Sequence, residues 1–304
     1  MSVLVVCLSP AFQSTYDFTS FNPNEVNRSA SHTLHASGKG VNVSRVLSSV
    51  GLDNKSLTIL GGERTEEYLR YCREEGVDLA YVDTGKDIRT CTTIIDYEKH
   101  ESTELVEEAP EVGEDIEGKV LELYTNEISK HDAVVITGSV PKGFSDSIFA
   151  EMTRIAAEKG RIVVLDCRGN LLRKALLQKP TIIKPNISEF MATFYPERQV
   201  LEHDETEDLF DLVERKARDI YREYGTRVII TRGEKSTWAY DGERLTEVTI
   251  DEKFDGPIIN TIGCGDTFTS IFLFHLILGY SYEVSITRGM VAASKRAHRK
   301  DLIG

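Results

Sequence analysis

The segment Asn260-Thr-Ile-Gly-Cys-Gly-Asp-Thr-Phe268 sets a carboxylate directly behind two glycines and ahead of a long apolar stretch, Thr267 to Leu278, that closes at Gly279. A stretch apolar nearly all round predicts a buried helix, and Gly279 supplies its stop. Gly263 and Gly265 let backbone N–H groups converge on an anion at the helix start, where the helix dipole adds attraction. Asp266 then stands beside a phosphate site, close enough to accept a proton from an attacking hydroxyl. The same pattern also describes an N-capping Asp after a Gly turn, and this segment alone does not separate the two.

A second segment, Ser37-Gly-Lys-Gly-Val-Asn-Val-Ser-Arg-Val-Leu47, is again a glycine turn that opens a helix, with Val43, Val46, Leu47 and Val50 at helical spacing. Lys39 and Asn42 would stand near that helix start, able to hold a sugar and its anionic group; the plainer reading is a turn with an exposed Lys. A third segment, Lys184-Pro-Asn-Ile-Ser-Glu189, follows the apolar strand Thr181 to Ile183. Asn186 and Glu189 would lie at the carboxyl end of that strand, where open α/β sheets place ligands. Two hard oxygen ligands there suit Mg²⁺, through bound water; alternatively Asn186 or Ser188 simply caps the next helix. No GK in the chain is followed by Ser or Thr, and no GxGxxG occurs, which argues against P-loop enzymes and dinucleotide-binding dehydrogenases.

These segments need a scaffold. Val3–Leu8, Ala133–Thr137, Arg161–Leu165, Thr181–Ile183 and Arg227–Thr231 read as buried strands, alternating with amphipathic stretches such as Ser145–Lys159 and Thr206–Tyr224. That alternation predicts βαβ units and a mainly parallel sheet. Two stretches depart from it. Phe12–Ala36 has little helical periodicity and is rich in Ser, Thr and Asn; Arg89–Val106 reads as a β-hairpin around Glu98-Lys99-His100. Both can project from the sheet as a small lid, an ordinary edge hairpin being the alternative.

Composition narrows the function class. A formal net charge of −13 over 304 residues argues against general nucleic-acid binding, which needs a basic footprint. No apolar run approaches the roughly 20 residues that span a bilayer, and the start has no basic region of a signal peptide. The five cysteines, Cys7, Cys72, Cys91, Cys167 and Cys264, are widely and irregularly spaced without a CxxC pair, so a reducing cytoplasm is expected.

Together the motifs resemble the PfkB-type, ribokinase-like family of carbohydrate kinases. Its GGKGxNxA-like segment corresponds to Ser37–Ser44 and its DTxGAGD-like segment to Asn260–Asp266. Between them, Ile136–Gly143 looks like the SGSLPPG turn, Lys184–Glu189 like KPNxxE, and Thr231-Arg232-Gly233 like the nucleotide-contacting SLG turn. The resemblance covers roughly residues 3 to 295. It implies one kinase domain over 1–304, a three-layer α/β sandwich with a mainly parallel central sheet, and a β lid from segments near 12–36 and 89–106.

The activity implied is transfer of the γ-phosphoryl of ATP, with Mg²⁺, to a hydroxyl. Asp266 is the base; Gly263, Cys264 and Gly265 form the turn beside it. Lys184, Asn186, Thr231, Gly233, Gly263 and Gly265 face the nucleotide, and Asn186 and Glu189 the metal. Val26-Asn27-Arg28, Arg89–Ile94 and Thr103-Glu104-Leu105 look like the branch containing 1-phosphofructokinase and tagatose-6-phosphate kinase. In it Arg28, Lys39 and Arg89 would meet the phosphate of a hexose phosphate, with Gln13, Gly38, Asn42 and Ser139 around the sugar. The partners implied are a sugar phosphate and ATP, without nucleic acid or membrane, and a second copy of the chain met through the lid.

The chain departs from that branch in several places. Gln13 replaces an Asp that holds sugar hydroxyls, Val106 a common Asn, Ser37 the first Gly of GGKG, Ser236 a glycine and Cys264 a small Ala. The tail is short and basic at Lys295, Arg296, Arg299 and Lys300. Gln13 keeps open a kinase for an unphosphorylated sugar or a nucleoside; a separate alternative is a non-catalytic protein that binds nucleotide or sugar phosphate, against which the intact Asp266 speaks.

Overall fold

The computed structural model describes residues 1–198, 200–201, 208–252, 254 and 258–299. In chain order the elements are β1 (Val3–Cys7), β2 (Ala11–Phe18), β3 (Ser31–Ser37), α1 (Lys39–Ser49), β4 (Asn54–Leu60), α2 (Thr65–Glu74), β5 (Leu79–Asp83), β6 (Thr90–Asp96), β7 (Glu101–Val106), α3 (Ile116–Ile128), β8 (Ala133–Thr137), α4 (Ile148–Glu158), β9 (Ile162–Asp166), α5 (Gly169–Leu176), β10 (Ile182–Ile183), α6 (Ile187–Phe194), α7 (Leu209–Tyr224), β11 (Arg227–Ile230), β12 (Thr237–Tyr240), β13 (Leu245–Val248), α8 (Cys264–Ile277) and α9 (Tyr282–Ala297). The strands expected from apolar runs agree with these to within a residue at each end. The helix expected from Thr206 is seen from Leu209, Thr206 itself lying outside the described residues.

A nine-stranded sheet runs in the order β13-β12-β11-β10-β9-β8-β1-β4-β5. It is parallel from β11 to β5, and β12 and β13 add to it antiparallel. Strands buried on both faces read as continuous apolar runs, which is why β1 and β8 were legible. Leu4, Val6 and Leu8 pack with α3, α4, α5, α6 and α7 on one face. Val3 and Val5 point the other way, toward Val43 and Leu47 of α1, Phe268 and Phe272 of α8, and Ile286 of α9. The result is a three-layer sandwich. From β1 the chain moves outward to β4 and β5, then returns to β8 on the other side of β1 and proceeds toward β11. The order therefore reverses between β1 and β8, where an open α/β sheet forms its crevice.

The two irregular excursions pair with each other. β3-β2-β6-β7 form a separate four-stranded sheet, with β2 and β6 parallel and the outer pairs antiparallel. Its hairpin turns as expected at Glu98-Lys99-His100, where Asp96 Oδ1 accepts from the N–H groups of Glu98 and Lys99. Phe12 and Ala36 on one face pack with Tyr68 and Cys72 of α2 and with Val41 of α1, tying the small sheet to the body. β7 at its edge is exposed throughout.

Candidate active site

Two glycine turns bring two helix starts to the carboxyl end of the large sheet. At the first, Gly38 has φ of 128° and its missing Cβ would lie 2.9 Å from Cys7 Sγ. Gly40 sits closer still, a Cβ there falling 2.6 Å from Cys7 Cβ. Only glycine at both positions lets α1 start against the end of β1, and that contact carries Lys39 and Asn42 to the crevice. At the second turn, Asn260 Oδ1 accepts from Ile262 N–H at 2.9 Å, and Gly263 takes a left-handed φ of 75°. Cys264 N–H bonds to Thr261 O at 3.2 Å. Ile262 and Cys264 thus spend their amides inside the turn. The amides of Gly263, Gly265 and Asp266 have no hydrogen-bond partner among the described residues. At its far end α8 closes at Gly279, with Tyr280 N–H on His275 O and Gly279 N–H on Leu276 O, the paired bonds of a Schellman motif.

The two helix starts meet. Asn42 Nδ2 donates to Asp266 Oδ2 at 2.8 Å across 224 residues of sequence. Asp266 is 5% exposed, and it does not cap its own helix, which has no side-chain cap. Burial pushes its carboxyl up to about 6; Lys39, Asn42 and Lys184 pull against that rise, and Asp166 adds to it. A carboxylate so tuned titrates close to neutral pH, as a general base requires.

Lys39 Nζ lies 3.7 Å from Asp166 Oδ1 and 3.5 Å from Glu189 Oε1. Asp166 raises the proton affinity of this ammonium above the usual lysine value, burial opposes it, and Glu189 and Asp266 reinforce it. On the other side, Lys184 Nζ reaches Asp166 Oδ2 at 3.1 Å, with both side chains 3% exposed. Burial alone would raise the Asp166 carboxyl, but Lys184 and Lys39 outweigh it and hold the group below its ordinary value. Thr269 Oγ1 lies 3.4 Å from the same oxygen. Sequence reasoning passed over Asp166. Its signal is an Asp that ends an otherwise apolar strand, at the edge where ligands bind.

The remaining candidates are distributed as follows. Asn186 and Glu189 cap α6 reciprocally: Asn186 Oδ1 accepts from Glu189 N–H at 2.7 Å, and Glu189 Oε2 accepts from Asn186 N–H at 3.1 Å. The capping alternative is therefore realised, and Glu189 Oε1 is the oxygen left facing Lys39. Thr231 forms a β-bridge with Asn186, and Gly233 turns beyond it with φ of 61°. Ser236 accepts from Arg232 Nη1 at 2.8 Å. Ser139 is exposed just past β8. Burial pushes the Cys264 thiol up to about 11, which disfavours the thiolate that a nucleophile needs.

Gln13 lies on β2, 6% exposed. Its Nε2 donates to Thr93 Oγ1 at 2.8 Å and to Ser14 O at 3.3 Å. The amide's donors are thus used within the small sheet, and Oε1 has no partner among the described residues. Arg28 is exposed in the loop between β2 and β3 without a hydrogen bond or ion pair among them. Arg89 is more constrained: its two terminal nitrogens donate to Glu107 O at 2.9 Å and Ser9 O at 3.3 Å, while its buried Nε has no partner. Arg296 of the basic tail is buried and donates to Arg299 O, and Lys300 lies outside the described residues. No cluster of three or more His, Cys, Asp or Glu suited to a metal occurs among the described residues, and no helix among them is long and apolar enough to cross a membrane.

Removing one member of a buried ion pair leaves the other charge uncompensated, at a typical cost of about 3–5 kcal/mol. Lys184→Met is expected to lose stability on that scale in urea unfolding, and Asp166→Asn in the same chain to restore much of it. A full additive loss in the double variant would show that the two groups do not depend on each other.

Comparison with known proteins places this geometry in a family. Residues 5–303 match the model of the pfkB family carbohydrate kinases. A tagatose-6-phosphate kinase of Staphylococcus epidermidis is 28% identical over 271 residues, spanning 87% of this chain and 82% of its own. A possible 1-phosphofructokinase of Thermotoga maritima superposes with a TM-score of 0.87 at 23% identity, covering 99% of this chain and 93% of that one. Phosphofructokinase-2 of Escherichia coli, in complex with potassium, gives 0.84 at 20% identity, covering 99% and 94%. At such identities the structural likeness speaks for the fold. The family match extends over nearly the whole sequence, and the chain belongs to the pfkB family of carbohydrate kinases.

Proposed function

We propose that this kinase transfers the γ-phosphoryl of ATP to a hydroxyl of a hexose phosphate (tagatose 6-phosphate, fructose 6-phosphate or fructose 1-phosphate), with Asp266 as general base. The observation that carries the reading is the Asp266 carboxylate, nearly dry and held by Asn42 beside unpaired amides at the start of α8. Asp266 takes the proton of the accepting hydroxyl as its oxygen attacks phosphorus in line. The proton ends on Oδ1, the oxygen that Asn42 does not engage, and the bond to the departing nucleotide oxygen breaks. Phosphoryl transfer depends mainly on positioning and on stabilising spread negative charge. The amides of Gly263, Gly265 and Asp266 supply fixed donors for that charge, and Lys39 and Lys184 supply cations. Thr231 and Gly233, at the end of β11, border the nucleotide side.

Asp166 and Glu189 fit a divalent cation. Each turns one carboxylate oxygen toward the same Lys39 ammonium, and Mg²⁺ is commonly held by one or two carboxylates plus phosphates and water. Bound there, Mg²⁺ would neutralise phosphate charge. Asn186 acts by fixing Glu189 through the cap.

The similarity to a tagatose-6-phosphate kinase supports the phosphorylated acceptor; the Arg28 guanidinium, without a partner among the described residues, suits its phosphate, and Arg89 would join it by releasing Ser9 O or Glu107 O. Gln13 Oε1 can accept one sugar hydroxyl where an Asp would accept two. The small sheet serves as the lid over this site. Its exposed strand β7, with Leu105 and Val106 outward, is the edge through which a second copy would join; sedimentation at micromolar concentration tests that pairing. A cytoplasmic location accords with five unpaired thiols.

Asp266→Asn should fold and bind ATP normally yet lose roughly 10²- to 10⁴-fold in turnover. Near-normal turnover would remove Asp266 from this role. Excess chelator should abolish activity, and Glu189→Gln should raise the Mg²⁺ needed for half-maximal rate; activity undiminished in chelator would end the metal proposal. Across the three hexose phosphates, Gln13→Asp is expected to change the ratios of kcat/KM. Parallel scaling of all three would mean that residue 13 does not contact the sugar, and turnover of unphosphorylated sugars alone would overturn the substrate class.

A further inference from the structure

A buried polar chain leads away from Asp266 that the transfer reaction itself does not use. Asn42 Oδ1 accepts from Arg45 Nη1 at 2.8 Å and from Ser37 Oγ at 3.3 Å. Arg45 is 4% exposed, one turn further along α1. Glu75, just beyond α2, accepts from Arg45 Nε at 2.8 Å and from Nη2, and its other oxygen bonds His35 Nδ1 on β3 at 3.0 Å. Arg45 Nη2 also donates to Ala36 O. Every nitrogen of this guanidinium is thereby aimed.

We propose that Arg45, clamped by Glu75, is a positioning residue for Asp266: it locks the Asn42 amide in the one orientation that donates to the base. The proposal rests on Asp266 being the general base. The argument is one of hydrogen-bond chemistry. A guanidinium only donates, and an ionised carboxylate only accepts. An amide placed between them satisfies both in a single orientation, with its oxygen toward Arg45 and its NH₂ toward Asp266. Flipped, it would set NH₂ against the guanidinium and oxygen against the carboxylate, leaving two buried mismatches. Without Arg45, the amide loses its principal constraint, and Asp266 loses a fixed donor that keeps one oxygen engaged and the other directed toward the acceptor.

Stability does not account for the pair. A buried Arg–Glu pair often contributes no more than apolar residues of similar volume. Here it ties α1, the end of α2 and β3 of the small sheet to one amide, and among the described residues that amide meets only Asp266 at its donor end. Neither Arg45 nor Glu75 is among the groups that face the nucleotide or sugar, so both act through Asn42.

The test uses the full chain, with ATP and whichever of tagatose 6-phosphate, fructose 6-phosphate or fructose 1-phosphate the wild type turns over fastest. The double replacement Arg45→Met/Glu75→Leu removes the pair together, so no buried charge is left alone. It is expected to melt cooperatively near the wild-type temperature, to keep both KM values within about twofold, and to lose roughly ten- to hundredfold in kcat, as for one charge-assisted hydrogen bond. Combined with Asp266→Asn it should cost nothing further in kcat, because the pair acts only through that carboxylate. A wild-type kcat, a loss that multiplies in full on the Asp266→Asn background, a parallel rise in KM, or loss of the cooperative melt would each overturn the proposal. A failure of the base itself reads differently: Asp266→Asn alone would then keep its turnover, and the positioning role would fall with it.

Discussion

Three carboxylates and two ammonium groups are confined at one end of the large sheet, and the rest of the site follows from their mutual balance. Asp166, Asp266 and Lys184 are almost wholly out of water. An isolated charge there would be strongly disfavoured, so these groups are stable only as a set. Asp166 is matched on both sides by Lys39 and Lys184. Glu189 shares Lys39 and is also fixed by its cap. Fully ionised, the five groups carry one negative charge in excess. Asp266, without an ion pair among the described residues, has its proton affinity raised. Burial is the main cause of that rise, and the lysines only temper it; a carboxyl so raised is what the proposed base needs.

That balance constrains the backbone. Lys39 reaches Asp166 only because α1 begins directly on the end of β1, which requires glycine at 38 and 40. Asp266 meets Asn42 only because α8 begins in a left-handed turn at Gly263 and packs beside α1 on the same sheet face. The small sheet is held by α2, through Phe12 against Tyr68 and His35 against Glu75 at its end, and by α1 through Val41. Asp266, the cations and the small sheet therefore share one framework, and a shift of α1 would be felt by all three.

Much of this was legible in the chain. Buried strands showed as apolar runs, and the two glycine turns showed as breaks ahead of helical patterns. The order of the motifs carried the resemblance to the family. What was not legible depended on long-range contact. Asp166 looks in sequence like any strand-terminal carboxylate, and only the arrival of Lys39 and Lys184 distinguishes it. Arg45 reads as a polar position on an amphipathic helix, although α2 and β3 bury it. Asn186 admitted both a metal and a cap reading, and its reciprocal bonds with Glu189 realise the cap. Gln13 stood out as a missing carboxylate, but that Thr93 would take its amide donor could not be foreseen without the pairing of β2 with β6.

The central claim is that Asp266 is a buried base that must be ionised to work. The most direct measurement is the pH dependence of kcat/KM at saturating Mg²⁺, in the wild type and in Asp266→Asn. A base with its carboxyl raised to about 6 is active only above that value, so kcat/KM should fall about tenfold per unit as pH drops below about 6. The residual rate of Asp266→Asn should show no such limb. A limb near the ordinary carboxylate value of about 4, or one that persists unchanged in Asp266→Asn, would contradict the account.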